Sequence, residues 1–273
     1  MNILARLQCI EPYVAVSTAK QLSRIVMAML VMTGRVSMLG IARWAGKGGS
    51  YRTVQRFYAT VIPWATLFWV FFREHLWRVG DTYLLAGDEV VVSKAGKHTH
   101  GLDRFFSSLY GKPIAGVSFF ALSLVSVQER HAYPSSVKQI VRDAAEKAAS
   151  KKKRSSQSKG KPGRQKGSQN KNKAEVVLSA ELLRIQAMVM GLLQRIAGCL
   201  SLTYLVMDGH FGNNNALVMV RSCGLHLISK LRYDSGLYLP YEGSYSGHGP
   251  HRKYGDKLAY HSLPAQSLKT STW

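Results

Sequence analysis

The pattern of apolar and polar positions changes character near residue 80. From about Ser17 to Val79 apolar residues recur at helical spacing with no strand-like alternation, which predicts a run of helices. Val36 to Ala45, a glycine-rich turn over Gly46 to Ser50, and Tyr51 to Tyr58 have the form helix, turn, helix, and Ser50 is placed to cap the second helix. On that helix Tyr51, Arg52, Gln55 and Arg56 form the polar set, while Val54, Phe57 and Tyr58 form the inward one. Such a polar face suits a DNA groove; an ordinary helical hairpin with a solvated face fits the pattern equally well. Trp64, Phe68 and Phe72 recur every four residues and are expected in the core. The most apolar stretch, Val61 to Phe72, is closed by Arg73 and Glu74 and falls short of the roughly 20 residues a membrane span needs.

After Asp81 the pattern turns to strands. An apolar run from Tyr83 ends on Asp88, Gly116 to Val127 is rich in β-formers, Leu202 to Met207 ends on Asp208, and Leu225 to Leu231 gives one more strand. Glu175 to Leu200 reads as a long helix carrying Glu181, Arg184 and Arg195 along one stripe. Strands, crossover helix and strand make a mixed α/β order. The expected organisation is a helical, helix-turn-helix-like DNA-binding region over 1–80 and a sheet domain over 81–273. A basic insert interrupts the latter at 150–174, opening with Lys151, Lys152, Lys153 and Arg154. No acidic residue occurs from Lys151 to Lys173, so the insert is too polar to offset its ordering entropy and is expected to be disordered. It reads as a phosphate-binding arm or as a solvated linker.

Composition narrows the partners. Thirty-seven Lys and Arg stand against fifteen acidic residues, a formal net charge of +22, which is what phosphate neutralisation and counterion release require. A 46% hydrophobic content allows a real core. Cys9, Cys199 and Cys223 lack paired spacing and read as free thiols of a reducing compartment. Within this basic chain the two strand-terminal aspartates carry the chemistry. A carboxylate at the polar end of an apolar strand can hold a divalent cation instead of being desolvated; equally, each Asp can open a turn, Asp208-Gly209 above all.

The block from Asp88 to Phe106 (DEVVVSKAGKHTHGLDRFF), together with Val206-Met207-Asp208-Gly209-His210-Phe211, resembles the DDE transposases of bacterial insertion sequences. The resemblance implies a partial RNase H-like mixed sheet with flanking helices after the helical region. It implies catalytic, metal-binding roles for Asp88 and Asp208, with Mg²⁺ or Mn²⁺ as cofactor, and DNA cleavage followed by strand transfer. The implied partner is double-stranded DNA at transposon ends, bound by an oligomer in the bacterial cytoplasm and nucleoid, with no membrane role. Glu89 alternates to the face opposite Asp88 and replaces it only if the strand register shifts. Lys94, Lys97, His98 and His100 follow closely enough to hold phosphate, or form a solvated turn. The family's third acid is a Glu on a later helix. The acidic residues after Asp208 are Asp234, Glu242 and Asp256, none on a convincing helix, so the expectation is a truncated transposase, inactive alone. The other readings are a non-catalytic DNA-binding regulator of a complete transposase and a standalone metal nuclease.

Overall fold

Helices come first. A short α1 (Ile3–Arg6) and a 3-10 turn (Gln8–Tyr13) lead into α2 (Val16–Val31), α3 (Met38–Trp44), α4 (Tyr51–Ala59) and α5 (Trp64–His75). The computed structural model describes residues 3–96, 98–148, 176–230, 236–245, 247 and 249–258; Lys97 and the insert expected at 150–174, with Lys151, Lys152, Lys153 and Arg154, lie outside them. The Ser37 hydroxyl caps α3 by accepting from the Gly40 N–H (3.0 Å), and Ser50 caps α4 by accepting from the Thr53 N–H (3.4 Å). Between the two helices Gly46 and Gly48 adopt φ of 64° and 87°, a left-handed turn that residues with a Cβ resist. Ile25, Ala28, Ile41, Val54, Phe57 and Leu67 close the core of this region.

Two inward positions were misassigned by the helical pattern. Tyr58 is 49% exposed, because one step beyond Phe57 turns the side chain off the core-facing stripe. Trp64 is likewise 44% exposed; α5 instead buries Leu67, Trp69, Val70 and Phe72. The physical reason is that α5 serves two cores. Leu67 belongs to the helical one, whereas Trp69 and Phe72 pack with the sheet.

The strands are β1 (Tyr83–Ser93), β2 (Asp103–Ser107), β3 (Lys112–Ser126) and β4 (Ala132–Ile140). Then follow α6 (Ala180–Ile196), β5 (Tyr204–Met207), a 3-10 turn (Gly209–Phe211), α7 (Asn214–Ser222) and β6 (His226–Ser229). β1 lies centrally, antiparallel to β3 from Tyr83↔Ser126 to Ser93↔Gly116 and parallel to β5 from Leu85↔Leu205 to Gly87↔Met207. β5 pairs parallel with β6, and the far edge of β3 carries β2 and β4 in succession. This is the mixed sheet with flanking helices expected of an RNase H-like domain. Parallel pairing of β1 with β5 needs a long crossover, and α6 lies within it, burying Ile185, Val189, Leu192 and Ile196 against Leu85, Leu122, Leu124 and Leu205.

All of these elements form one compact unit, residues 1–229; residues 230–273 form a second, in which β7 (Tyr238–Pro240) and β8 (Tyr254–Lys257) pair antiparallel. No helix among the described residues is long and apolar enough to cross a membrane.

Gly87 is a tight point of the sheet. A Cβ there would lie 2.9 Å from Cζ of Phe120, a ring only 3% exposed that has nowhere to retreat. Gly87→Ala is therefore expected to cost about 1–3 kcal/mol by overpacking, read as a lowered Tm. Ala86→Gly, one residue away on the other face of the strand, is expected to leave the Phe120 ring undisturbed in side-chain NMR.

Candidate active site

Asp88 does not end its strand, contrary to the pattern reading; β1 runs on to Ser93. What ends is its neighbour. β5 stops at Met207, opposite Gly87, so Asp88 is the residue of β1 just past the parallel pairing and Asp208 the first beyond β5. The Gly87↔Met207 register makes the two aspartates consecutive neighbours on adjacent parallel strands, at the end of the sheet where the ladder opens. Asp208 keeps an extended backbone (φ −66°, ψ 172°).

Each carboxylate spends one oxygen locally. Asp88 Oδ1 accepts from the Glu89 N–H at 2.8 Å, and Asp208 Oδ1 from the His210 N–H at 3.2 Å. The second bond caps the 3-10 turn, so Asp208 does open a turn as its Asp-Gly sequence suggested. The Ser229 hydroxyl in turn donates to the Asp208 carbonyl (2.7 Å), tying β6 to this corner. Oδ2 of each aspartate has no hydrogen-bond partner among the described residues.

A cleft of about 460 Å³ opens here, lined by Asp88, Glu89, Asp208, Arg142, Glu181 and His210 among others. Glu89 takes the core-side face, as alternation requires, where it accepts from the buried Ser118 hydroxyl at 2.5 Å. Glu181 sits in the first turn of α6, whose N-terminus Ser179 caps by accepting from the Leu182 N–H (3.3 Å). A carboxylate there suits the helix dipole, and its Oε1 lies 3.8 Å from Nε2 of His210. The resemblance implies a further acid downstream of Asp208; of the acidic residues there, Asp234 lies outside the described residues, and Glu242 and Asp256 belong to the second unit. Glu181 comes from upstream, and its signal was already visible: an acid opening the helix that crosses over to the second aspartate's strand. Among the described residues no three His, Cys, Asp or Glu side chains stand close enough to hold one ion, so this is an open carboxylate cleft and not a closed cage.

A neighbouring pocket, which shares Glu89, Arg142 and Glu181 with the cleft, is fixed by two capping hydrogen bonds and an ion pair. Asp143 and Glu146 make a reciprocal cap, the Asp143 N–H donating to Glu146 Oε2 (3.1 Å) and the Glu146 N–H to Asp143 Oδ1 (2.7 Å). Arg184 of α6 then grips both oxygens of Glu146 at 2.9 and 3.0 Å, a bidentate fork. The other residues expected to meet DNA or phosphate are dispersed. Arg52, Gln55 and Arg56 are exposed together on α4, and Lys94, His98 and His100 follow β1 without lining the cleft.

A family model described as DDE superfamily endonuclease matches residues 9–273. Comparison with curated proteins finds no match.

The hydrogen bonds from Arg184 hold the Glu146 carboxyl below its ordinary value of 4.5, against the opposing effect of burial. A depressed carboxyl stabilises the fold fully above the unfolded value and loses that contribution as pH falls through the folded one. Glu146→Gln is expected to cost roughly 1 kcal/mol at neutral pH, as an ion pair still partly in solvent should. Melting curves of the two proteins, apart at pH 7, should converge as pH falls from the ordinary carboxyl value of 4.5 through the lower folded one.

Proposed function

The chain belongs to the DDE superfamily endonucleases, and from that premise we propose that it cuts DNA in the cleft at the open end of β1 and β5, with Asp88 and Asp208 as the metal-binding, catalytic pair. The in-register placement of these two carboxylates carries the reading. Hard oxygen donors suit Mg²⁺ or Mn²⁺. Mg²⁺ is ordinarily held through one or two carboxylates plus substrate phosphates, with retained waters, and an open pair fits that habit better than a closed cage would. Bound there, the ion would activate a water and stabilise the leaving 3′-oxygen.

The protein's own part is placement. The His210 N–H and the Ser229 hydroxyl fix Asp208, the Glu89 N–H fixes Asp88, and Ser118 holds Glu89 on the other face of β1. In this reading Arg52, Gln55 and Arg56 of α4 meet the duplex, while Lys94, Lys97, Lys151, Lys152, Lys153 and Arg154 neutralise phosphates. The DNA is a transposon end, and the freed 3′-hydroxyl then attacks target DNA, with more than one copy of the chain bound to the DNA.

A second reading, a DNA-binding protein that regulates a complete transposase without cutting, draws on the lack of three close metal donors among the described residues. Mn²⁺ titration of the whole chain, followed by EPR, separates the two. A catalytic pair completed by phosphate binds the ion weakly alone and more tightly with a duplex oligonucleotide present. Asp88→Asn and Asp208→Asn should abolish the DNA-dependent gain and reduce metal-dependent cutting to background, with duplex affinity in the absence of metal retained. Variants that bind Mn²⁺ and cut like the parent would overturn the assignment of this pair, and a parent chain that binds duplex but shows neither the DNA-dependent Mn²⁺ gain nor cutting would favour the regulator.

A further inference from the structure

Arg142 is held in a way its packing alone does not require. It lies just past the end of β4, its guanidinium stacked over the buried Phe105 ring at 4.4 Å from the centroid. Nη1 donates to the Arg104 carbonyl at 3.1 Å and stands 3.7 Å from Asp103 Oδ2. That oxygen is buried and makes no hydrogen bond, so Arg142 balances its charge without meeting it at bonding distance. A guanidinium has five N–H donors in a rigid fork, and among the described residues one of them makes a hydrogen bond. The same side chain lines the cleft of Asp88 and Asp208.

The charges around it define what it can take. Asp88, Glu89, Glu181 and Asp208 make the cleft wall anionic, so a DNA strand approaching the aspartates meets like charge unless cations intervene. Ring, carbonyl and carboxylate hold Arg142 from three sides, which lowers the ordering cost of a bidentate phosphate contact. We propose that Arg142 binds a backbone phosphate of the DNA strand lying in the cleft and so positions that strand against the aspartate pair. The inference rests on the cleft being where DNA is cut.

The experiment uses the full chain and a short duplex oligonucleotide, with affinity measured by fluorescence anisotropy across a salt series in the absence of metal. Arg142→Gln is expected to reduce the log–log salt slope by about 0.9, one phosphate contact. Arg195→Gln, an equal charge change at the far end of α6, should leave the slope unaltered. Because Arg142→Gln also strands the Asp103 charge, the double variant Asp103→Asn/Arg142→Gln is measured beside it. That variant removes both charges, so its Tm should recover while the slope deficit persists. A double variant with the parental slope, or an Arg142→Gln slope equal to the parent's, would show that Arg142 only neutralises Asp103 and would overturn the inference. If that happens while Asp88→Asn still abolishes the DNA-dependent Mn²⁺ gain, the cleft reading stands and the Arg142 assignment alone falls. Loss of both effects would take the cleft reading with it.

Discussion

One aromatic ring buttresses both halves of the candidate centre. Phe120, in the middle of β3, lies beneath Gly87 so closely that position 87 has no room for a methyl group, and it meets Phe211 edge-on at 6.3 Å. Gly87 immediately precedes Asp88, and Phe211 follows Asp208 by one short turn. Two carboxylates on neighbouring strands repel each other, and neither backbone segment would hold its place on hydrogen bonds worth about 1 kcal/mol apiece. Apolar packing behind the strands supplies the rigidity, and the like-charge repulsion in front remains available to be relieved by a cation.

The charge pattern therefore acts on two length scales. At long range the chain's formal charge of +22 draws a polyanion toward it, an attraction that salt screens beyond about 10 Å. Within the cleft the sign reverses, because carboxylates dominate the wall. In the proposed function, attraction to the molecule and admission to the cleft would thus be separate steps, governed by separate residues. α5 joins the regions concerned: its Leu67 is anchored among the helices and its Phe72 against the sheet, so the α4 surface and the β1 edge belong to one packed unit.

Much of this was legible in the sequence because the strands that matter are apolar on both faces, buried on one and half-buried on the other. Tyr83 to Gly87 and Leu205 to Met207 are short apolar runs whose β character and polar endings survive without context, and Ser50 announced its helix through cap chemistry. β2, β4 and α7 escaped notice for the complementary reason. β4 (AYPSSVKQI) lies at the sheet margin, contains Pro134 and mixes exposed and buried positions, so no clean period marks it. Tyr58 and Trp64 were mis-phased because an aromatic side chain is counted as inward by type, whereas its place on the helix sets its exposure. In sequence Glu181 is one member of a charged stripe. Only tertiary structure brings the start of α6 beside Asp208, and sequence distance conceals that.

The pairing of β1 with β5 also fixes the order in which the molecule can become chemically complete. The antiparallel strands β1, β3 and β4 can find one another from nearby sequence, but the parallel partner of β1 is made only after the insert and α6. Such non-local contacts form late, since loop-closure entropy must be overcome before they are rewarded. A nascent or partly folded chain can therefore already display its helical, cationic surface while Asp88 still lacks its neighbour. In the proposed function, attachment to nucleic acid would precede competence to cut it, and the closing of one parallel ladder would mark the difference.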